Sequence, residues 1–201
     1  MSTTTLYRPV GKREMELILL SNSKAFPPRL NWQPIFYPVL NFDYAAQIAR
    51  EWNTPDEFSG YVGFVTRFDV DSDYLKKFDV QTVGAEIHQE LWIPSEELEE
   101  FNSHIVGYIQ LEYAYYGQNY KGDSKECVLL QDLNVDNQFV KIKEIVQEND
   151  LSHFFQSEKI PLLLNFGYWF VNFKEQELLE QIRKNWEKTY PELTLPKAEM
   201  V

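Results

Sequence analysis

A mixed α+β fold, strand-rich over residues 1–117, is what this sequence predicts, and three observations lead there. Alternating runs rich in aromatic and β-branched residues recur in the first half, at "TLYRPV" (5–10), "YVGFVTRFDV" (61–70) and "GYIQLEYAYYG" (107–117). Stretches with apolar residues at helical spacing lie between and after them. No internal repeat, low-complexity tract or coiled-coil heptad competes with that reading.

The elements follow in order. "TLYRPV" is the first strand and Gly11 ends it. "KREMELILLSNS" is a helix with Met15, Leu19 and Leu20 inward and Arg13 and Glu16 outward. "FPPRLNWQP" (26–34) is a proline-punctuated loop, because Pro-Pro cannot sit inside a helix. "IFYPVL" is a short strand. Asn41 is a good N-cap for "FDYAAQIAREWN", where Tyr44, Ala45, Ile48, Ala49 and Trp52 form an apolar stripe. After the loop "TPDEFSG" come the 61–70 strand, a turn or short helix at "DSDYLKKF", and one or two strands in "DVQTVGAEIHQELWI". Ser95 is placed to cap a short helix whose first turn holds Glu96 and Glu97, with Leu98 and Phe101 inward. The 107–117 strand closes this part.

The polar, turn-rich "GQNYKGDSKE" marks a boundary, giving two units, 1–117 and a C-terminal α+β extension at 118–201. The extension reads as a strand at "CVLLQDL", a helix at "NQFVKIKEIVQEN", and one or two strands in "IPLLLNFGYWFVNF". A helix follows at "KEQELLEQIRKNWEKTY", with Leu178, Leu179, Ile182 and Trp186 inward, and "PELTLPKAEMV" is a tail. The aromatic density of the extension implies that it packs on the first unit.

Composition narrows the function. The 201 residues can bury roughly 70% of the unfolded chain's surface, so no metal or disulfide staple is needed. Thirty-one acidic against 19 basic residues give a formal charge of −12, which disfavours bulk nucleic acid and anionic membranes as partners. Cys127 is the only cysteine, so no intrachain disulfide forms, in keeping with a reducing cytoplasm. "MSTTTLYRPVG" lacks the charged and apolar regions of a signal peptide. The longest apolar stretch, at 160–173, is interrupted by Asn and Gly and is too short to span a bilayer.

Standard phosphate cradles are missing, with no GxGxxG and no GxxxxGK[ST], and there is no GxSxG nucleophile elbow. His88, His104 and His153 are scattered, and with one cysteine a zinc site has no ligand set. "HQE" at 88–90 matches the first half of the zinc-deaminase pattern, but the paired thiolates that pattern requires are absent.

Four stretches are left. "LYRPVG" places Tyr7 and Arg8 at the end of the first strand. "FPPRL" holds Arg29 in a stiff loop. "IFYPVLNFDYA" puts Phe36 and Tyr37 just before a helix, and in a strand those two must point to opposite faces. "HQELW" puts His88 and Glu90 on one face of a strand, with Glu86 on the same face if the strand is unbroken.

In this order the stretches resemble the ADP-ribosyltransferase superfamily, and most of all small bacterial proteins labelled ADP-ribosylation/crystallin-J-like. The shared text includes "LYRPVG", "AFPPRL", "QPIFYPVLN", "GFVTRFDV" and "HQELWIP", and the resemblance covers residues 5–110. It implies a split, curved, antiparallel-rich sheet with flanking helices and NAD lodged in its cleft as substrate, with no metal. Arg8 would contact the phosphates or ribose of NAD, as a guanidinium fork suits phosphate. Tyr37 or Phe36 would stack on nicotinamide, and Tyr7 and Arg29 would complete the NAD site. Glu90 would be catalytic, accepting from a ribose hydroxyl and stabilising an oxocarbenium-like ribosyl cation.

Two features depart from the larger branch of that superfamily. Its Ser-Thr-Ser-like triplet is replaced by "FVTRF" or "FYPVL", and the position two before the glutamate holds His88, which would accept a proton from the acceptor or orient Glu90. The expected activity is ADP-ribosyl transfer to a protein or small molecule, or hydrolysis of NAD. A non-catalytic module of the same fold, binding a nucleotide or a protein, is the alternative. ADP-ribosylglycohydrolases are larger, helical and built around metal-binding aspartates that have no counterpart here. No pattern in the sequence encodes the acceptor or the oligomeric state.

Overall fold

The computed structural model describes residues 2–30, 32–147 and 151–201. It is an α+β fold with an open, mostly antiparallel sheet. β1 (Thr3–Val10) pairs antiparallel with β3 (Val62–Asp71), and β3 with β7 (Ile105–Tyr116). β8 (Lys197–Met200) adds in parallel on the far side of β7, giving the order β1-β3-β7-β8. Leu6, Arg8 and Val10 of β1 face the main core, and alternation turns Tyr7 to the other side.

Two short ribbons continue the pairing beyond β1. β2 (Ile35–Phe36) pairs with β6 (Ile93–Pro94), and β4 (Val80–Thr82) with β5 (Gln89–Leu91). Residues 38–40 stitch them to the sheet. Val39 exchanges both backbone hydrogen bonds with Tyr7, at 2.9 and 2.8 Å. On its other side Leu40 N donates to Gln89 O at 3.0 Å and Leu91 N donates to Pro38 O at 2.9 Å. Backbone pairing therefore runs from β8 through β1 and Val39 to β5 and β4. Pro38 cannot donate, which keeps this link to isolated bridges rather than a full strand.

Helices cover both faces. α1 (Lys12–Leu20) buries Met15, Ile18 and Leu19 against the main core. Glu16, expected outward, is buried and paired with Arg13 at 3.0 Å. α2 (Phe42–Ile48) is capped by Asn41, whose side chain accepts from Tyr44 N at 2.9 Å, and it runs into a π-helical turn at Ala49–Asn53. α2 and this turn cover a second cluster of Val39, Tyr44, Ala45, Ala49, Val65 and Tyr115. α3 (Ser72–Leu75) is one turn. A 3-10 turn (Ser95–Glu97) leads into α4 (Leu98–Ser103), which buries Leu98 and Phe101 as expected. Ser95 does not cap it, because its hydroxyl bonds Glu96 instead.

The C-terminal part departs from the sequence expectation. "CVLLQDL" (127–133) is turns and bends, with Val128 and Leu129 exposed, because β8 already fills the edge of β7. Its N–H groups at Val128, Leu129 and Leu130 donate to the buried Glu158 carboxylate at 3.0, 2.9 and 3.2 Å. α5 (Val135–Gln147) takes the place of the helix expected at 137–149, whose last two residues lie outside the described ones. α6 (Leu151–Ser157) leads to α7 (Lys159–Asn172), which replaces the expected strands at 160–173. α7 is buried nearly all round, so its apolar run carries no visible period, and its 14 residues exceed a usual strand. Pro161 sits in its first turn, where no backbone donor is needed. α8 (Gln176–Thr189) buries Leu179, Ile182 and Trp186 as its spacing predicts. The expected tail holds β8. Through α7 and β8 the C-terminal part joins the main hydrophobic core. Among the described residues no helix is long and apolar enough to cross a membrane.

Candidate functional site

Where β1, Val39 and β5 meet α2 and its π-helical turn, a cleft of about 630 Å³ opens. Arg8, Tyr37, Val39, Tyr44, Trp52 and Glu90 are among the residues that line it. Glu90 sits in the middle of β5 and is only 9% exposed. Trp92 Nε1–H donates to its Oε1 at 2.6 Å and the Tyr44 hydroxyl donates to Oε2 at 3.5 Å. Both donors are neutral, and among the described residues no cation lies within ion-pairing distance of this carboxylate. Burial and then the Glu90 charge push the Tyr44 phenol above its ordinary value, which keeps it protonated and able to donate. A desolvated carboxylate with no counter-ion on a cleft wall attracts whatever positive charge enters or develops there.

A buried cation lines the same cleft. Arg8 is 7% exposed and its guanidinium rests 4.6 Å from the centre of the Phe36 ring. Its Nε donates to Glu14 Oε1 at 2.8 Å, Nη2 to Glu14 Oε2 at 3.3 Å, and Nη1 to the Tyr37 carbonyl at 3.1 Å. These contacts use three of its five N–H groups. Arg29 Nη1 also reaches Glu14 Oε1, at 3.4 Å. Burial works against charge on Glu14, but Arg8 and Arg29 outweigh it and hold the carboxyl below the usual range.

The expected site residues thus divide. Arg8, Tyr37 and Glu90 come together in the cleft. Phe36 does not reach it, being fully buried against Phe26 and Phe101 beneath the Arg8 guanidinium. Tyr7 does not line the cleft: it packs with the Val39 cluster, edge-on to Phe42 with ring centres 6.0 Å apart. Arg29 lines an adjoining cleft, joined to this one through Gln33.

His88 precedes β5 and stands behind Tyr44, the rings stacked with centres 4.4 Å apart. Its Nδ1 accepts from Ala85 N at 3.3 Å, which makes Nε2 the donor to Gln47 Oε1 at 3.1 Å. It supports Tyr44 and does not line the cleft. Glu86 does not share the Glu90 face, because a turn over 83–88 breaks the strand and leaves Glu86 exposed.

Three residues of the site carried no functional signal in the sequence. Tyr44 and Trp52 read as an apolar helical stripe, and Trp92 as a strand residue. A tyrosine in such a stripe still needs a partner for its hydroxyl, which is the one hint available. Trp52 is 64% exposed, since the π-helical turn carries it out of the buried stripe. Among the described residues no group of three or more His, Cys, Asp or Glu is placed to hold a metal ion. Comparison with family models, with curated proteins and with solved structures finds no match to this chain.

Proposed function

We propose that the cleft binds NAD as substrate and that Glu90 promotes departure of nicotinamide, giving ADP-ribosyl transfer to an acceptor or hydrolysis by water. One observation carries this reading: the nearly buried Glu90 carboxylate, held by two neutral donors and paired with no cation among the described residues, on the wall of a cleft with aromatic sides. Arg8 lines the same cleft, so the site holds a negative and a positive group. NAD has the same polarity, a pyridinium cation next to a pyrophosphate anion. The strand-one arginine and the glutamate strand, which line one cleft, also support the resemblance to ADP-ribosyltransferases read from the sequence.

In the reaction the bond between the ribose anomeric carbon and the pyridinium nitrogen breaks. Its electron pair stays on nitrogen, so nicotinamide leaves neutral and no general acid is required. Positive charge develops on the ribose ring, and Glu90 stabilises it. The acceptor, a protein side chain, a small molecule or water, forms the new bond to the anomeric carbon and gives up a proton. Tyr44 and Trp92 keep the carboxylate aimed, and Tyr37 and Trp52 offer rings to the nicotinamide.

Nicotinamide release from NAD by the purified chain, with and without added cell lysate, tests the proposal. Glu90→Gln keeps the shape and the Trp92 contact while removing the charge, so turnover falls by about 10²–10³-fold at unchanged thermal stability. Equal turnover in wild type and Glu90→Gln would sink the role of the carboxylate. A second reading, a non-catalytic module that binds NAD, is favoured by the commitment of Arg8 to Glu14 and the Tyr37 carbonyl. Its result is tight NAD binding with no nicotinamide released.

A further inference from the structure

Two arginines share one carboxylate beside the cleft. Arg8 and the Arg29 side chain are 7% and 9% exposed, and among the described residues Glu14 is the only acid paired with either. The cluster therefore carries one uncompensated positive charge in a region largely removed from water, a costly state until a counter-ion arrives. The contacts around Arg29 are those of a site waiting for an anion. Its Nη2 is met by Gln33 Oε1 at 2.8 Å, a neutral acceptor on an exposed residue, and its Nε has no partner among the described residues. An anionic oxygen in place of the amide would turn a neutral contact into a charge-assisted one.

Arg29 lines a second cleft of about 300 Å³, with Glu14, Pro27, Gln33, Asp56 and Phe58. Gln33 lines the first cleft as well, so the two are neighbours across the arginine pair. Phe58 is 98% exposed, yet its turn is well tied. Asp56 accepts from Phe58 N at 3.2 Å, from Ser59 N at 2.9 Å and from Ser59 Oγ at 2.6 Å. Those three donors occupy the Asp56 oxygens and tie down the backbone that carries the phenyl ring. Taken cleft by cleft, the order is aromatic rings and a cation (Tyr37, Trp52, Arg8) in the first, then a cation and an aromatic ring (Arg29, Phe58) in the second.

From this order we infer that the second cleft is the subsite for a nucleoside diphosphate, the half of the dinucleotide remote from Glu90. Its pyrophosphate lies over Arg29 and Arg8 and its base packs against Phe58. The identification of that half as the ADP end of NAD rests on the function proposed above. The pyrophosphate displaces the Gln33 amide from Arg29 and supplies the missing negative charge. The ring of Phe58 gives the base a stacking surface.

Calorimetric binding of ADP, nicotinamide mononucleotide and NAD to wild type, Phe58→Ala and Arg29→Gln tests this. Phe58→Ala weakens ADP and NAD by about tenfold, the usual scale for one base on one ring, and leaves the mononucleotide unchanged. Arg29→Gln weakens ADP as well. Arg29 is buried and its variant can misfold, so the fully exposed Phe58 decides. The inference is overturned if ADP does not bind, or if Phe58→Ala binds it as tightly as wild type. Glu90-dependent nicotinamide release alongside that result would leave the transfer reading standing. ADP binding that depends on Phe58, with no nicotinamide released from NAD, would uphold the subsite and remove the transfer reading.

Discussion

Glu14 shows how one side chain sets the charge of a site. It lies in the first turn of α1 and holds Arg8 and Arg29 together. Removing its charge leaves two largely buried guanidiniums facing each other, so Glu14→Gln costs about 3 kcal/mol at pH 7 by urea unfolding. The pH dependence has a definite sign. The folded carboxyl titrates below its ordinary value of 4.5, so the stabilisation is complete above that pH and is lost as pH falls through the lower folded value. The stability gap between wild type and Glu14→Gln therefore narrows below about pH 4.5. Cys127 offers a second residue-level test. Burial first, and then Glu158 and its acidic neighbours, push the thiol up to about 11. Alkylation of the native protein at pH 8 is accordingly slow, and it rises to the rate of a free thiol in urea.

At the scale of elements, the π-helical turn at Ala49–Asn53 shapes the cleft by resting Ala49 directly on the β3 backbone at Gly63. Gly63 makes this possible. A Cβ there would lie 2.0 Å from the Ala49 carbonyl oxygen and 2.5 Å from its Cα. Gly63→Ala must push the turn away, at a cost of about 1–3 kcal/mol, and Trp52 moves with it. The expected outcome is a lower melting temperature, a shifted tryptophan emission and weaker NAD binding. Unchanged emission would show that the turn does not set the Trp52 position. Element types were legible where one face was buried and the other wet. Asn41 announced α2, and the spacing of Leu179, Ile182 and Trp186 announced α8. α7 was misread because burial on every side erased the period that separates helix from strand.

For the whole molecule, the decisive fact is that residues 118–201 do not stand apart. β8 extends the sheet begun by β1, β3 and β7, and α7 packs on β7 and α1. Tyr116 of β7 donates its hydroxyl to the Leu164 carbonyl of α7 at 2.7 Å, and Trp169 and Phe166 join the same core as Phe64 and Phe68. A fragment of residues 1–117 would expose this apolar surface and the bare edge of β7. It is expected to be insoluble or to lack a cooperative melt by circular dichroism, whereas the full chain melts in one step. A soluble fragment with a sharp transition would mean that the first part folds alone.

The sequence by itself determined the α+β class, the strands of the first half, the capped helix at Asn41 and the stretches around Arg8, Tyr37 and Glu90. These follow from local physics: alternation, helical spacing, capping chemistry, and the cost of a carboxylate in an apolar strand. Tertiary structure alone decided which of the named residues share a cleft. Phe36 went to the core while Tyr37 went to the cleft wall, because adjacent strand residues face opposite ways and the choice between them belongs to the neighbours. His88 was drawn behind Tyr44, Glu86 was lost to a turn, and Tyr44, Trp52 and Trp92 were recruited from positions that looked like packing. The pairing of Arg8 with Glu14 and Arg29 was also beyond the sequence, since it joins β1, α1 and a proline-rich loop. Charge balance is a property of the space where those three meet.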